Sequence, residues 1–326
     1  MILVPALIAL ADPQASVSLG RVFTAGEKLT YAVRSNLQTQ RRVRPLQTWI
    51  PEDLDINYDY TVSVEQLKTD GIAIVRYQRP TMTEIEGETF EKPPVTKKQK
   101  VNWDLRLTVS PFNEIIGIKD LTPPKKPAKK TQVVNWKSPA TQGTLQQIVG
   151  QFVGEVYRLS LFVGNFESAL DFAPRTSFDN VKVGDTWQRT VGYQPQKLKG
   201  KDGKQAVQRL DFTYTYKGIA NGTKGKVHRV EGKLAFNTDL AEFINQTYSV
   251  DSSQTGLKTV PLSLTSTIVF DLDLKTRHTV EANSQSDGEF KVVVTEFPDD
   301  PVQEEKIRGR TNLRLVSRTV GKSSKK

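Results

Sequence analysis

The sequence predicts an α+β protein that is mainly antiparallel β, with one central amphipathic helix packed on the sheet. Residues 144–162, TLQQIVGQFVGEVYRLSLF, place apolar side chains at steps of three and four, which gives a helix one apolar face to bury. Most other apolar segments alternate with polar residues, as half-buried strands do. Because similar strand patterns precede and follow the helix, we expect two related β units, arranged as a sandwich or a split barrel.

The composition fits an ordinary globular protein, with 37% hydrophobic and 25% charged residues in a chain of 326. The chain has no cysteine, which excludes a disulfide framework, thiol catalysis and zinc sites built on thiolates. Its formal net charge is +10, and this excess favours anionic partners such as phospholipid head groups or acidic polysaccharide. The lysine runs at 97–100, 125–130 and 322–326 are interpreted as solvated loops or tails, so a nucleic-acid partner is not expected.

Residues 1–11, MILVPALIALA, are a continuous apolar run that ends in a small-x-small pattern of the kind signal peptidase accepts. The run is too short to cross a bilayer, for which ~20 residues are needed. No Lys or Arg precedes it, so a buried strand is the alternative. We interpret the run as the remnant of a signal peptide and expect an exported bacterial protein, periplasmic or extracellular.

The first β unit is expected over residues 12–121. Alternation predicts a strand over 29–33, a hairpin over 56–77 that turns at Asp70-Gly71, and a strand over 103–109. The basic residues from 34 to 44 are interpreted as a loop or a frayed strand end.

A Pro/Lys-rich linker is expected over 122–143, followed by a helical segment over 144–172. The second β unit is expected over 173–297 and a charged C-terminal segment over 298–326. Further predicted elements are strands at 210–216, 243–250 and 268–274, a hairpin formed by 278–282 and 290–294, and a last strand at 313–320.

The two predicted units repeat the same features in the same order. Gly26-Glu27-Lys28-Leu29 corresponds to Gly184-Asp185-Thr186-Trp187, YDYTVSV from Tyr58 to FTYTYKG from Phe212, and WDLRLTV from Trp103 to FDLDLKT from Phe270. Loop insertions account for the unequal spacing. The alternative is that any two β-meanders with Gly-acidic turns look alike. If the duplication is real, a cleft between two facing sheets, closed by the helix, is the expected ligand site.

No catalytic or metal-binding pattern stands out, so no enzyme activity, cofactor or metal is expected. The two histidines, His228 and His278, lie in strand or turn contexts without a His-x-x-x-His spacing. Asp271 and Asp273 share one face of a predicted strand and are the only motivation for an acid/base hydrolase, a third hypothesis. The more ordinary interpretation of both carboxylates is a solvated outer strand face. No nucleophile elbow or Gly-rich phosphate loop occurs.

Aromatic residues on the predicted strands, together with the helix stripe, are the candidates for the wall of an apolar pocket. The ordinary role of strand aromatics is cross-strand packing, and that alternative stays open. The predicted ligand-binding residues are Tyr60, Trp103, Phe152, Val156, Trp187 and Tyr214.

Three motifs in this order resemble a group of exported bacterial β-rich proteins without a known activity. These motifs are the strand start at 26–29, the Val-Gly-Asp-x-Trp element at 183–187 and the Phe-Asp-Leu-x-x-Lys-Thr strand at 270–276. The resemblance extends loosely over residues 23–295. It implies export and a β-rich architecture and carries no catalytic residues over to this chain. A helix on a curved sheet is also similar to periplasmic lipoprotein carriers and lipid-binding proteins, by analogy of fold alone.

These observations predict a non-enzymatic, exported binding protein that encloses a lipid or another apolar ligand between a curved sheet and the helix. The alternative is a structural or interaction protein of the cell envelope, which uses its basic surface to bind anionic polymer or membrane.

Overall fold

The computed structural model of the chain describes residues 16–87, 93–122, 142–163, 168–193, 207–248 and 252–321. The predicted signal peptide at 1–11 and nearly all of the 122–143 linker lie outside the described residues.

Among the described residues, five strands precede the long helix, and alternating polar and apolar residues give each of the first three a buried face. These strands are β1 (Glu27–Val43), β2 (Ile50–Leu67), β3 (Ala73–Glu86), β4 (Val95–Val109) and β5 (Ile115–Asp120). The helix α1 (Gln142–Leu161) and a 3-10 turn (Leu170–Phe172) follow. The rest of the described chain forms β6 (Thr186–Tyr193), β7 (Gln208–Gly222), β8 (Gly225–Asp239), α2 (Ala241–Tyr248), α3 (Ser252–Thr255), β9 (Leu257–Thr259), β10 (Pro261–Asp273), β11 (Thr279–Val294) and β12 (Gln303–Val320).

The twelve strands of the described chain belong to one antiparallel sheet, in the order β5-β4-β3-β2-β1-β12-β11-β10-β8-β7-β6, with β9 paired to β11. This confirms the mainly antiparallel β class. It corrects the expected sandwich or split barrel, because β1 pairs with β12 along its whole length and joins both halves into one sheet. In this order β1, β2, β3 and β4 form one run of consecutive neighbours, and β6, β7, β8 and β10 form another. The duplicated motifs lie at equivalent places in these runs, although duplication itself stays a prediction.

Several element boundaries differ from the prediction. Residues 34–43, expected to be a loop or a frayed strand end, continue β1 as regular strand, because alternate side chains as far as Thr39 are buried. The predicted strand at 243–250 is the helix α2, whose short apolar run fits either structure. The hairpin expected from 278–282 and 290–294 is a single strand, β11. Within the charged segment at 298–326, β12 is the central strand of the sheet.

The helix α1 covers the middle of the sheet and packs against β1, β11 and β12. At its C-terminal end the Thr311 hydroxyl donates a 2.7 Å hydrogen bond to the carbonyl oxygen of Leu161. A Cβ atom on Gly309 would lie 2.9 Å from the carbonyl oxygen of Ser160, so the close approach of the helix requires glycine there. We call the covered side of the sheet the inner face and the opposite side the outer face.

Residues 168–181, which we call the strap, lie on the inner face and connect the two ends of the sheet. The side-chain amide of Asn113, in the β4–β5 turn, donates to the carbonyl oxygen of Pro174 at 2.8 Å. The indole of Trp187, on β6, donates to the carbonyl oxygen of Arg175 at 2.9 Å. Consecutive strap residues thus bind opposite ends of the sheet.

Candidate functional site

The six predicted ligand-binding residues lie on the inner face but do not line one pocket. Phe152 and Val156 are buried on α1, with the Phe152 ring 6.4 Å from that of Phe243 on α2. Tyr60 stacks on Tyr31 at a ring separation of 5.0 Å. Trp103 lies near this stack. On the other half of the sheet, the rings of Trp187 and Tyr214 stack with their centres 5.7 Å apart. All six residues belong to the hydrophobic core or pack against it. Their predicted role in ligand binding stays a prediction.

Two small cavities lie on the inner face in the described part of the chain. A cavity of about 40 Å³ lies beside Tyr60 and Leu170, and one of about 10 Å³ lies beside Tyr214. A buried water needs roughly 10–15 Å³, whereas small-molecule pockets measure roughly 300–1,000 Å³. Because the strands form one sheet, the described chain also has no cleft between two facing sheets. The inner face, as it stands, has room for water molecules.

A buried polar cluster fixes the strap to the inner face. The Tyr58 and Tyr77 hydroxyls donate hydrogen bonds of 2.8 and 2.6 Å to the two carboxylate oxygens of Asp171. Burial raises the pKa of Asp171, an effect opposed by the Arg79 charge and by the two tyrosine hydrogen bonds. The Arg79 guanidinium is buried between the rings of Tyr58 and Trp103, at 4.5 and 3.9 Å from their centres. Trp103 therefore contacts a buried cation.

The histidines and aspartates considered for catalysis are occupied by structural partners. The imidazole Nδ1 of His228 lies 2.7 Å from the Tyr216 hydroxyl, and burial lowers the pKa of His278 to about 4. Asp271 accepts two hydrogen bonds from Arg229, at 2.8 and 2.9 Å. Burial opposes ionisation of Asp273, but hydrogen bonds from the turn that follows it lower its pKa to about 2. No group of three potential metal ligands occurs among the described residues.

The outer face forms a much larger feature, an open trough with a volume of about 1400 Å³. Seven adjacent strands contribute to it, from β2 across the centre of the sheet to β7. Seven strands at a spacing of about 4.8 Å give the trough a width of about 29 Å across the sheet. Within the described chain its lining contains no aromatic side chain.

Strand register aligns the polar side chains of the trough into rows that cross the strands. The central row, as we call it, contains one residue from each of the seven strands, and each residue pairs with its neighbour on the next strand. Directly opposed side chains have Cβ atoms about 4.5–5.5 Å apart, so a row is a nearly continuous track of polar groups. From β2 to β7 the central row is Asp55, Asn36, Arg310, Gln285, Thr267, Lys233 and Thr213.

A second row runs beside the central row and adds further amide groups. Its amides come from Asn57, Asn283 and Asn312, and the Asn312 amide donates to the side-chain oxygen of Asn283 at 2.8 Å. Both donors and acceptors are therefore presented along the trough. The sequence does not single out these residues, because outward polar positions on a strand are ordinarily solvated. The alternation did identify them as outward, but the register that aligns them is set by pairing between distant strands.

Comparisons with known proteins do not supply an identity. Neither a protein-family model nor a curated protein matches this chain. Solved structures with some similarity include one described by its lipid-protein interactions in lipovitellin, at 9% identity and a TM-score of 0.40, covering 93% of this chain. This chain spans 26% of that lipovitellin chain.

Two further solved structures have lower scores. DynF from the dynemicin biosynthesis pathway of Micromonospora chersina is 8% identical with a TM-score of 0.23, over 93% of this chain and 86% of its own. A putative outer membrane lipoprotein-sorting protein domain from Vibrio parahaemolyticus is 8% identical with a TM-score of 0.13, over 90% of this chain and 87% of its own. These scores are too low to support an inference about fold or function.

No helix in the described part of the chain is long and apolar enough to cross a membrane. The predicted export signal lies outside the described residues, so export stays a prediction.

Proposed function

We propose that this is a non-enzymatic binding protein that holds an extended, hydrophilic polymer, a glycan, in the outer trough. The observation that supports the proposal is the trough itself, a concave space of about 1400 Å³ crossed by aligned rows of amide, hydroxyl and charged side chains. The inner cavities beside Tyr60 and Tyr214 are far smaller than this trough.

The chemistry of the lining favours a glycan over other polymers. Asn and Gln side chains both donate and accept hydrogen bonds, which matches the hydroxyl groups of sugars. Single-stranded nucleic acid is held by aromatic stacking platforms, and the described lining has none. An apolar ligand would leave the lining amides without partners, at a cost of about 1–3 kcal/mol for each one buried.

The test is binding of soluble polysaccharides to the full-length protein by isothermal titration calorimetry, with a trough variant and a matched control. The variant is Asn57→Ala with Gln285→Ala, because within the described chain neither side chain has a partner whose loss would affect folding. The control is Asn237→Ala with Gln66→Ala, which removes the same two side-chain types from exposed positions outside the trough.

We expect at least one polysaccharide to bind, with affinity reduced by the trough variant and retained by the control. Absence of binding across neutral and acidic polysaccharides would contradict the proposal, and so would equal losses in the two double variants.

An apolar ligand on the inner face is the second candidate, favoured by the cavity beside Tyr60 and by the cluster that fixes the strap over it. That cavity of about 40 Å³ cannot take an acyl chain unless the strap moves, so this function requires release of Asp171 from its tyrosine partners. Native mass spectrometry of protein purified from its own host, followed by organic extraction and lipid analysis, tests it. A stoichiometric lipid would support this candidate, and its absence would exclude a stably bound lipid.

A further inference from the structure

One cation in the trough has no counter-ion. Arg310 is exposed at the centre of the outer face, on β12, and within the described residues its guanidinium makes no ion pair or hydrogen bond. The other two cations of the lining have carboxylate partners: Arg34 pairs with Asp59 at 3.0 Å, and Lys233 lies 3.5 Å from Glu231, which it shares with Lys217. Arg310 is therefore the free positive charge of the lining.

The carboxylates of the lining are already engaged by other donors. Asp55 accepts a 2.8 Å hydrogen bond from the Asn36 amide. Asp287 pairs with Arg308 at 3.0 Å, and Asp211 accepts a hydrogen bond from the Thr190 hydroxyl. No lining carboxylate lies within ion-pairing distance of Arg310 in the described chain, so its guanidinium has no counter-ion there, although the lining as a whole balances three cations with three carboxylates.

The neighbours of Arg310 in the central row are neutral amides. Asn36 lies opposite it on β1 and Gln285 lies opposite it on β11. A guanidinium presents a planar fork of donors that binds a carboxylate through two parallel hydrogen bonds, and the Gln285 amide beside it supplies a further donor. Phosphate-bearing ligands are typically held by clusters of arginine, whereas the lining offers a single free guanidinium.

We infer that the ligand of the trough is an acidic glycan and that one of its carboxylates, of the uronic acid type, binds Arg310. This inference rests on the proposed function and specifies its substrate class. The polymer lies along the central row across the strands, so that its hydroxyl groups meet the amides and its carboxylate meets the guanidinium.

The test compares polygalacturonate with its methyl-esterified form, which keeps the sugar backbone and removes the charge. Titration calorimetry is run on the full-length protein at low and at moderate salt. We expect the acid form to bind and the ester to bind at least tenfold more weakly, because a hydrogen-bonded charged group contributes about 1.5–3 kcal/mol. Sulfated and neutral polysaccharides complete the panel.

Arg310→Ala should weaken binding of the acid form roughly 10- to 100-fold and leave binding of the ester unchanged. Arg310→Lys keeps the charge but loses the planar fork, so it should restore only part of the affinity. The matched control is Arg314→Ala, which removes the same charge from an exposed position on the same strand outside the trough lining. Its effect should stay within about twofold.

The outcomes separate this inference from the proposed function. If ester and acid bind equally and Arg310→Ala has no effect, the acidic specificity is overturned while glycan binding stands. If Arg310→Ala and Arg314→Ala weaken binding equally and moderate salt abolishes it, the attraction is non-specific and the inference is overturned. Preference for a sulfated chain would overturn the carboxylate assignment. If no polysaccharide binds, both proposals fail.

Discussion

The two faces of the sheet are made by the same strands, yet one is filled and the other is open. On the inner face, α1, the strap and α2 cover a continuous apolar core with cavities of about 40 and 10 Å³. On the outer face, polar residues of the same strands line a trough of about 1400 Å³. Alternation alone assigns each residue to one face. The inner face therefore supplies stability, and the outer face is left free to bind.

The largest expected effect on stability comes from shortening one of two neighbouring residues that lie on opposite faces of the sheet. Ile268 is 2% exposed on the inner face, and Val269 beside it lines the trough. Ile268→Ala should lower the free energy of unfolding by about 2–5 kcal/mol, because it leaves a cavity in a packed core. Val269→Ala, a smaller change at a half-buried position, should cost less than about 1 kcal/mol. Urea denaturation followed by tryptophan fluorescence measures both, and similar losses would contradict the contrast between the faces.

A pH effect of comparable size is expected where α1 meets the centre of the sheet. Burial raises the pKa of Glu305 to about 7, although hydrogen bonds from Tyr157 and Gln303 oppose the shift. The folded protein then holds this proton more tightly than the unfolded chain does. The stabilisation is complete below the unfolded pKa of about 4.5 and is lost as the pH rises towards 7, by about 3 kcal/mol.

Glu305→Gln removes that loss, so the difference in stability between parent and variant should shift in favour of the variant from pH 4.5 to 7. The difference is the correct measure because His278, whose lowered pKa is about 4, acts oppositely and loses stability as the pH falls from about 6.5. Glu289→Gln, an exposed change on β11, is the control and should leave the parent profile unchanged. A pH-independent difference for Glu305→Gln would contradict the prediction.

Substitutions in the cluster that fixes the strap should lower stability by a smaller amount, and their effects should be coupled to each other. Tyr58→Phe removes one of the two hydroxyls that donate to the buried Asp171 carboxylate, and an unsatisfied charged acceptor costs about 1–3 kcal/mol. Combining Tyr58→Phe with Asp171→Asn in a double-mutant cycle should give a coupling energy of at least about 0.5 kcal/mol. Additive losses in urea denaturation would show that the cluster does not act as one unit.

The sequence predicted the inner face far better than the outer one. Periodicity identified the stripe of α1 and the strands that carry Tyr60, Tyr214 and Phe270, because burial imposes a pattern on neighbouring residues. It could not show that β1 and β12, at opposite ends of the chain, pair with each other. Since that pairing places Asn36 beside Arg310, the central row depends on contacts between residues far apart in sequence. The trough residues consequently looked like ordinary solvated positions.

The smallest effect on stability is expected from the trough substitutions, which should have the largest effect on glycan binding. Arg310→Ala and Gln285→Ala remove exposed side chains that have no partner in the described chain, so each should change the free energy of unfolding by less than about 0.5 kcal/mol. Urea denaturation at pH 7 checks this expectation, and Ile268→Ala serves as the destabilised reference. A loss above about 1 kcal/mol for either trough variant would mean that the outer face also contributes to the fold. In that case, reduced glycan binding by these variants would no longer identify a site.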